Sequence, residues 1–202
     1  MALSFAGPDR DRALDSTDLI ERAVRFGVDE AAMRNAIVRL HFYLDDEPQK
    51  FTLEYGPDDS YVIPLSSLNQ KNRDDLTERE QEEFEKTQKE ENKKFNRLPE
   101  FKEKAKEFNQ DSVIIGVGSL LHEDLLTDFE ASVYIYPSGE RDESILFIAN
   151  YDEVVSLTIP AFTYDFEINR YPFDPPLDDI EDVYDQGISK AQELFNDWKK
   201  VK

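Results

Sequence analysis

Residues 129–149 read Phe129-Glu130-Ala131-Ser132-Val133-Tyr134-Ile135-Tyr136, then Pro137-Ser138-Gly139-Glu140, then Arg141-Asp142-Glu143, then Ser144-Ile145-Leu146-Phe147-Ile148-Ala149. The first run alternates apolar and polar residues with the period of a half-covered strand, placing Glu130, Ser132, Tyr134 and Tyr136 on one side. Pro-Ser-Gly-Glu is a turn signature. The last run is apolar on both phases, as a strand covered on both faces must be. Together they predict an antiparallel hairpin with one strand near the middle of a sheet.

Working outward, further strands are predicted at Ser112 to Leu121, Val154 to Ile159 and Phe162 to Ile168. In the last of these, Thr163, Asp165 and Glu167 oppose Phe162, Tyr164, Phe166 and Ile168. Pro175-Pro176 closes the sheet region, and Ile180, Tyr184, Ala191, Phe195 and Trp198 form the apolar stripe of a terminal helix. Upstream, Met33, Ile37, Leu40 and Leu44 have helical spacing, while Val38, Leu40, Phe42 and Leu44 alternate. A strand from about Ile37 is preferred, because Asp45-Asp46-Glu47-Pro48 then turns into Phe51 to Tyr55. Gly56-Pro57-Asp58-Asp59 turns again into Tyr61 to Ile63, completing a three-stranded meander.

Ser16 or Thr17 reads as the cap of a short helix that stops at Gly27, and Asp29 as the cap of a second one. Residues 72–98 differ from everything else. Glu82 and Lys86, Glu85 and Lys89, and Glu90 and Lys94 are acid-to-base pairs at i,i+4, and apolar residues are sparse. This stretch is expected to be a charged helical arm, lid or connector, with a second helix after Pro99. The fold expected is a single α+β domain: mainly antiparallel sheet, helices on one side, and a protruding charged helix.

Charge is distributed unevenly. Between residues 107 and 189 there are nineteen Asp or Glu against Arg141 and Arg170 alone, so this window holds 17 of the 21 net negative charges. The same window carries 12 of the 24 aromatic residues. Such a surface repels nucleic-acid phosphates and anionic lipid and attracts basic proteins. There is no cysteine, which excludes disulfides and thiolate chemistry. No apolar run is long enough to span a membrane, and a cytoplasmic protein is expected.

Motifs for chemistry are weak. Ile114-Ile115-Gly116-Val117-Gly118 looks like the start of a dinucleotide fingerprint, but Leu121 stands where the third glycine belongs. Glycines in a strand more often mark a bulge or a close backbone approach. His122-Glu123-Asp124, with Asp128 nearby, offers metal donors, yet three consecutive side chains do not converge on one ion. A serine triad would need His41 or His122, and neither has a nucleophile turn beside it. No catalytic, cofactor-binding or metal-ligating residue is therefore assigned.

Two short stretches resemble known families. Leu3-Ser4-Phe5-Ala6-Gly7-Pro8-Asp9-Arg10 resembles the opening of Toll/interleukin-receptor-type domains, which implies a flavodoxin-like fold, although the strand–helix alternation of that fold does not follow. Residues 17–65, two helices around Gly27-Val28-Asp29 and then a hairpin, resemble a winged helix. That implies a DNA-binding regulator, with only Arg34, Asn35 and Arg39 available for contacts. The expected function is instead a non-enzymatic interaction protein of inhibitor, immunity or adaptor type. It would present Glu130, Tyr134, Tyr136, Asp165 and Glu167 on one sheet face to a basic protein surface. The alternative expectation is a carboxylate-based enzyme, with or without a divalent metal.

Overall fold

A computed structural model of the chain describes residues 9–58, 62–63, 70–108 and 112–202. The element order is α1 (Asp9–Arg34), β1 (Ala36–Tyr43), β2 (Lys50–Asp58), α2 (Glu78–Asn92), β3 (Asn96–Arg97), β4 (Lys106–Glu107), β5 (Val113–Ser119), β6 (Glu130–Ile135), β7 (Ser144–Ala149), β8 (Glu153–Ile159), β9 (Glu167–Pro172) and α3 (Ile180–Val201). The fold is α+β, and the strand pairs among the described residues are all antiparallel. The strands form two sheets. The first has the order β3-β2-β1-β6, with β4 also on β2, and the second has the order β5-β7-β8-β9.

Alternation in the strands dictates how these pieces stack. Val38, Leu40 and Phe42 of β1 and Leu146, Ile148, Val155 and Leu157 of the second sheet share one core with Ile20, Val24, Val28 and Ala31 of α1. Thus α1 lies between the sheets. The other face of the second sheet is also apolar, and α3 covers it by packing Val183, Ala191 and Phe195 onto Ile115, Ile145 and Phe147. The other face of the first sheet is largely polar and lies under α2, whose own residues all keep some exposure to solvent. Each helix therefore occupies its own layer.

Several elements differ from the sequence reading for physical reasons. Residues 9–34 are one helix, not two, so Gly27 and Asp29 are internal to it and the two-helix geometry of a winged helix is absent. Thr17 does not cap a helix; its hydroxyl donates to Leu14 O at 2.8 Å within α1. Gly27 is not a stop. A Cβ there would lie 2.7 Å from Ile135 Cδ1, so glycine is what allows α1 to approach β6. The helix ends at Asn35, whose φ of 50° is the left-handed conformation common just past helix C-termini. β2 runs through Gly56 and Pro57, and its second neighbours are β3 and β4, so the meander has two strands and not three. After Pro99 there is a single 3-10 turn, Pro99–Phe101, in place of a helix. The last strand begins at Glu167, leaving 160–166 as a loop. Leu3 to Pro8, which carry most of the Toll-like resemblance, and Tyr61 lie outside the described residues. No helix among those described is long and apolar enough to cross a membrane.

The glycine pair in β5 serves packing. Register shifts between Ile114 and Gly116, as at a bulge. A Cβ on Gly118 would sit 2.3 Å from Cε2 of Phe195, a ring that is fully buried and cannot retreat. Gly118→Ala should therefore lower the urea unfolding midpoint, with a cost of about 1–3 kcal/mol from overpacking between β5 and α3. An unchanged midpoint would show that α3 is not seated on β5 as described.

Candidate functional site

Cross-strand register places a polar grid on the outer face of the first sheet. Arg39 of β1 lies between Glu54 of β2 and Tyr134 of β6, His41 between Thr52 and Ser132, and Tyr43 between Lys50 and Glu130. Each trio is a row of Cα partners. Directly opposed residues on one face lie within side-chain reach, so register alone brings unlike charges together.

The first row is a buried ion pair. Arg39 donates to Glu54 Oε2 through Nε at 2.9 Å and Nη2 at 2.6 Å, and through Nη2 to Asn92 Oδ1 at 2.8 Å. Its guanidinium also stacks 4.1 Å from the Phe95 ring centroid. Thr52 donates its hydroxyl to the other carboxylate oxygen, Glu54 Oε1, at 2.9 Å. Burial works to raise the Glu54 pKa, but Arg39 and His41 beside it, with the hydrogen bonds from Arg39 and Thr52, hold it below the ordinary value. Glu54 is thus ionised at neutral pH.

The second and third rows meet at His41, which is 2% exposed. Its Nδ1 lies 2.8 Å from Ser132 Oγ. Nε2 lies 3.2 Å from Glu130 Oε2, close enough for charge attraction but not aligned as an N–H···O bond. Asn92 Nδ2 donates to the same Glu130 oxygen at 2.7 Å, so one asparagine of α2 ties both rows to the helix. Burial and Arg39 lower the His41 pKa and outweigh the opposite pull of Glu130 and Glu54. Burial raises the Glu130 pKa, but its contacts with His41, Asn92 and Arg39 bring it below the ordinary value. Neutral imidazole beside carboxylate is the state at neutral pH.

His122, from the connection after β5, reaches the same place. It lines a cavity of about 40 Å³ together with Arg39, His41, Phe84, Asn92 and Ser132. On the other side of α2 a cavity of about 220 Å³ is lined by Tyr43, Arg73, Phe129 and Glu130. The first volume holds a water molecule or little more, whereas small-molecule sites run to several hundred Å³. Ser132, His41 and Glu130 are in serine–histidine–acid order. Ser132 nevertheless sits in mid-strand, not on the strained strand-to-helix turn that presents a nucleophile. Among the described residues, no three His, Asp or Glu side chains come together to hold a metal ion.

The five residues expected to share one face do not. Glu130 is half-buried beneath α2, and Tyr134 is buried against Phe95. Tyr136 is half-buried and donates its hydroxyl to Asp142 Oδ1 at 3.0 Å. Asp165, in the loop, and Glu167, at the start of β9, are exposed and belong to the second sheet. The phase of residues 130–136 is as expected; what differs is that α2 and the segment around Phe95 lie over it. Residues absent from the expectation are Arg39, His41, Glu54 and Asn92. The signal for the first three was the polar phase of β1, since pairing it with β2 across the 45–48 turn sets Arg39 opposite Glu54. The sequence matches no known family model, and no characterised protein or solved structure is significantly similar to it.

Two measurements probe this network. Glu54→Ala leaves Arg39 buried without its carboxylate and should cost about 3–5 kcal/mol in urea unfolding, while Arg39→Met with Glu54→Leu should recover most of that loss. A double variant as unstable as the single one would refute the pairing. Asp142 supplies a pH test: burial pushes its pKa up to about 6, with Glu140 adding and the bonds from Tyr136 and the Tyr134 amide opposing. A carboxyl whose folded pKa is raised contributes stability in full at low pH, and loses it as pH rises from about 4 to 6. Asp142→Asn cannot ionise. The difference in unfolding free energy between variant and wild type should shift in favour of the variant across that interval, as read from urea midpoints at pH 4.0 and 6.5.

Proposed function

We propose that the protein is a non-enzymatic interaction module that binds a basic protein segment along the acidic rim formed by loop 160–166, β9 and the approach to α3. One observation carries this reading. From Pro160 to Asp182 there are seven carboxylates, Asp165, Glu167, Asp174, Asp178, Asp179, Glu181 and Asp182, and every one is exposed. The single base of that stretch, Arg170, is committed to Glu153, to which it donates through Nε at 2.8 Å.

The rim also has the apolar and backbone features of a binding edge. Phe162 is 70% exposed and Tyr164 42%, with Ile168 exposed beside them. β9 pairs with β8 on one side and with no other strand among those described. An edge of this kind accepts an extended segment as an added strand, with pockets or rings selecting alternate side chains. The loop is already held in place: Arg25 donates to Tyr164 O at 3.3 Å, and Arg141 donates to Pro160 O at 3.0 Å and to Thr163 O. A pre-ordered loop lowers the entropy cost of binding. Charge on the rim speeds encounter with a basic partner, and Phe162 supplies the contact that desolvates. In this reading Asp165 and Glu167 are partner contacts, while Glu130, Tyr134 and Tyr136 support the first sheet.

The test is reversal of Asp165, Glu167 and Asp174 to Lys, followed by surface-plasmon measurement against a lysine- and valine-alternating peptide and against proteins eluted by salt from the wild-type protein. Far-UV circular dichroism should be unchanged. Association should slow at least tenfold at low salt and lose most of its salt dependence, and Phe162→Ala should chiefly raise the dissociation rate. Equal association rates for wild type and the reversed variant would place the binding surface elsewhere.

A further inference from the structure

The sequence has two histidines, and the fold brings both to one cavity beneath α2. Both are buried; among the described residues, Nδ1 of His122 has no hydrogen-bond partner, and Nε2 of His41 faces Glu130 Oε2 at 3.2 Å without an aligned bond. Orphaned polar atoms inside a protein call for an explanation, because most such atoms are bonded. The helix above them is unlike the other two. α2 has no buried residue; its described ties include Asn92 to Arg39 and Glu130, Gln81 Nε2 to Arg73 O at 3.0 Å, and the Phe84 ring 5.1 Å from that of Phe129. A layer held by a few polar contacts opens at lower free energy than the apolar core.

We propose that α2 is a pH-gated cover: when the two imidazoles beneath it take up protons, the helix lifts and exposes the polar face of the first sheet. The driving force is hydration of the imidazolium ions, whose rings lie almost wholly out of solvent while α2 is in place. The groups facing His41 are Arg39 and Tyr43 on its own strand, Glu54 on β2, Glu130 and Tyr134 on β6, and Glu91 on α2. Those near His122 are Glu123 and Asp124 of its own loop and Lys199 of α3, which donates to His122 O at 2.8 Å. Glu130 and Glu54 favour a charged His41, but burial and Arg39 prevail over them. At His122 burial and Lys199 act together and lower the pKa to about 4.

The sign follows from linkage. A histidine held below its ordinary pKa when closed favours closure above pH 6.5, and that preference is lost as pH falls toward the closed-state value. If opening restores His122 from about 4 to the ordinary imidazole value of 6.5, acidification from pH 7.5 to 5.0 favours the open form about 30-fold, and His41 adds to this in the same direction. Once lifted, a 15-residue helix of this length frays in water, so opening is visible in its amides. The face uncovered includes His41, Glu130 and Ser132, which the acidic rim of the second sheet does not involve.

Hydrogen exchange with mass spectrometry tests this on the full chain at pH 7.5 and 5.0, corrected for intrinsic rates. Protection in peptides covering 78–92 should fall at least tenfold at pH 5.0 while β7 stays protected. His41→Gln with His122→Gln should abolish the pH effect. Should that pair not fold, His122→Gln alone should remove most of the 30-fold share assigned to it. Asn92→Ala should release α2 already at pH 7.5. Equal α2 protection at both pH values, loss of α2 and β7 protection together, or a pH effect that survives in the histidine variants would each overturn the proposal.

Discussion

α1 has to satisfy two sheets at once. On one side it meets the apolar phase of β1, β2 and β6, on the other that of β7 and β8, and both contacts belong to one continuous core. Close packing of this kind leaves little freedom in where either sheet sits. Gly27 is where the constraint is tightest, because a side chain there would collide with Ile135 and hold the first sheet away from the helix. With the inner faces committed to α1, the character of each outer face decides what can cover it.

The two outer faces take opposite solutions. That of the second sheet is apolar, so α3 presses Val183, Ala191 and Phe195 into it, with Gly118 and Gly187 clearing space. Burial of this sort contributes about 25 cal/mol for each Å² of apolar surface removed from water. That of the first sheet carries Arg39, His41, Glu54, Glu130 and Ser132, and its cover is a charged helix attached mainly through side-chain polar atoms. A buried ion pair adds little net stability, since desolvation offsets attraction, yet it tolerates poorly the loss of one partner. The second sheet is therefore sealed by packing, and the first is covered through polar contacts such as those of Asn92 with Arg39 and Glu130. The β9 edge of the second sheet, which pairs with no further strand among the described residues, lies beside the region that α3 covers.

Strand periodicity made much of this legible. The alternation in 130–135 and the two-sided apolar run at 144–149 appear as strands where the sequence placed them, but they do not form the expected hairpin: beyond the Ile135–Arg141 bridge, β6 pairs with β1 in the first sheet and β7 with β5 and β8 in the second. The helical stripe keeps Tyr184, Ala191, Phe195 and Trp198 against the second sheet, while Ile180 is exposed. Thr77 and Glu80 form a reciprocal cap at the start of the charged helix, whose acid-to-base spacing had marked it. Misreadings share a cause. Ser16, Thr17, Gly27 and Asp29 are helix-boundary residues by local propensity, and tertiary contact overrides that propensity when a sheet packs on either side. Gly56-Pro57 and the 162–166 alternation were likewise read locally, whereas strand ends are set by which neighbour is available to pair.

Periodicity and charge pattern, which act over a few residues, determined from sequence alone that this is an antiparallel α+β protein with a strongly acidic C-terminal half. The absence of cysteine from these 202 residues leaves them no thiol. Tertiary structure decided which polar phase is wet. Tyr134 and Glu167 are equivalent on a strand diagram, but one is buried under a neighbouring segment and the other is exposed. Only the three-dimensional arrangement could bring His41 and His122 to the same cavity, because two sheets folded around one helix join residues that no local rule connects.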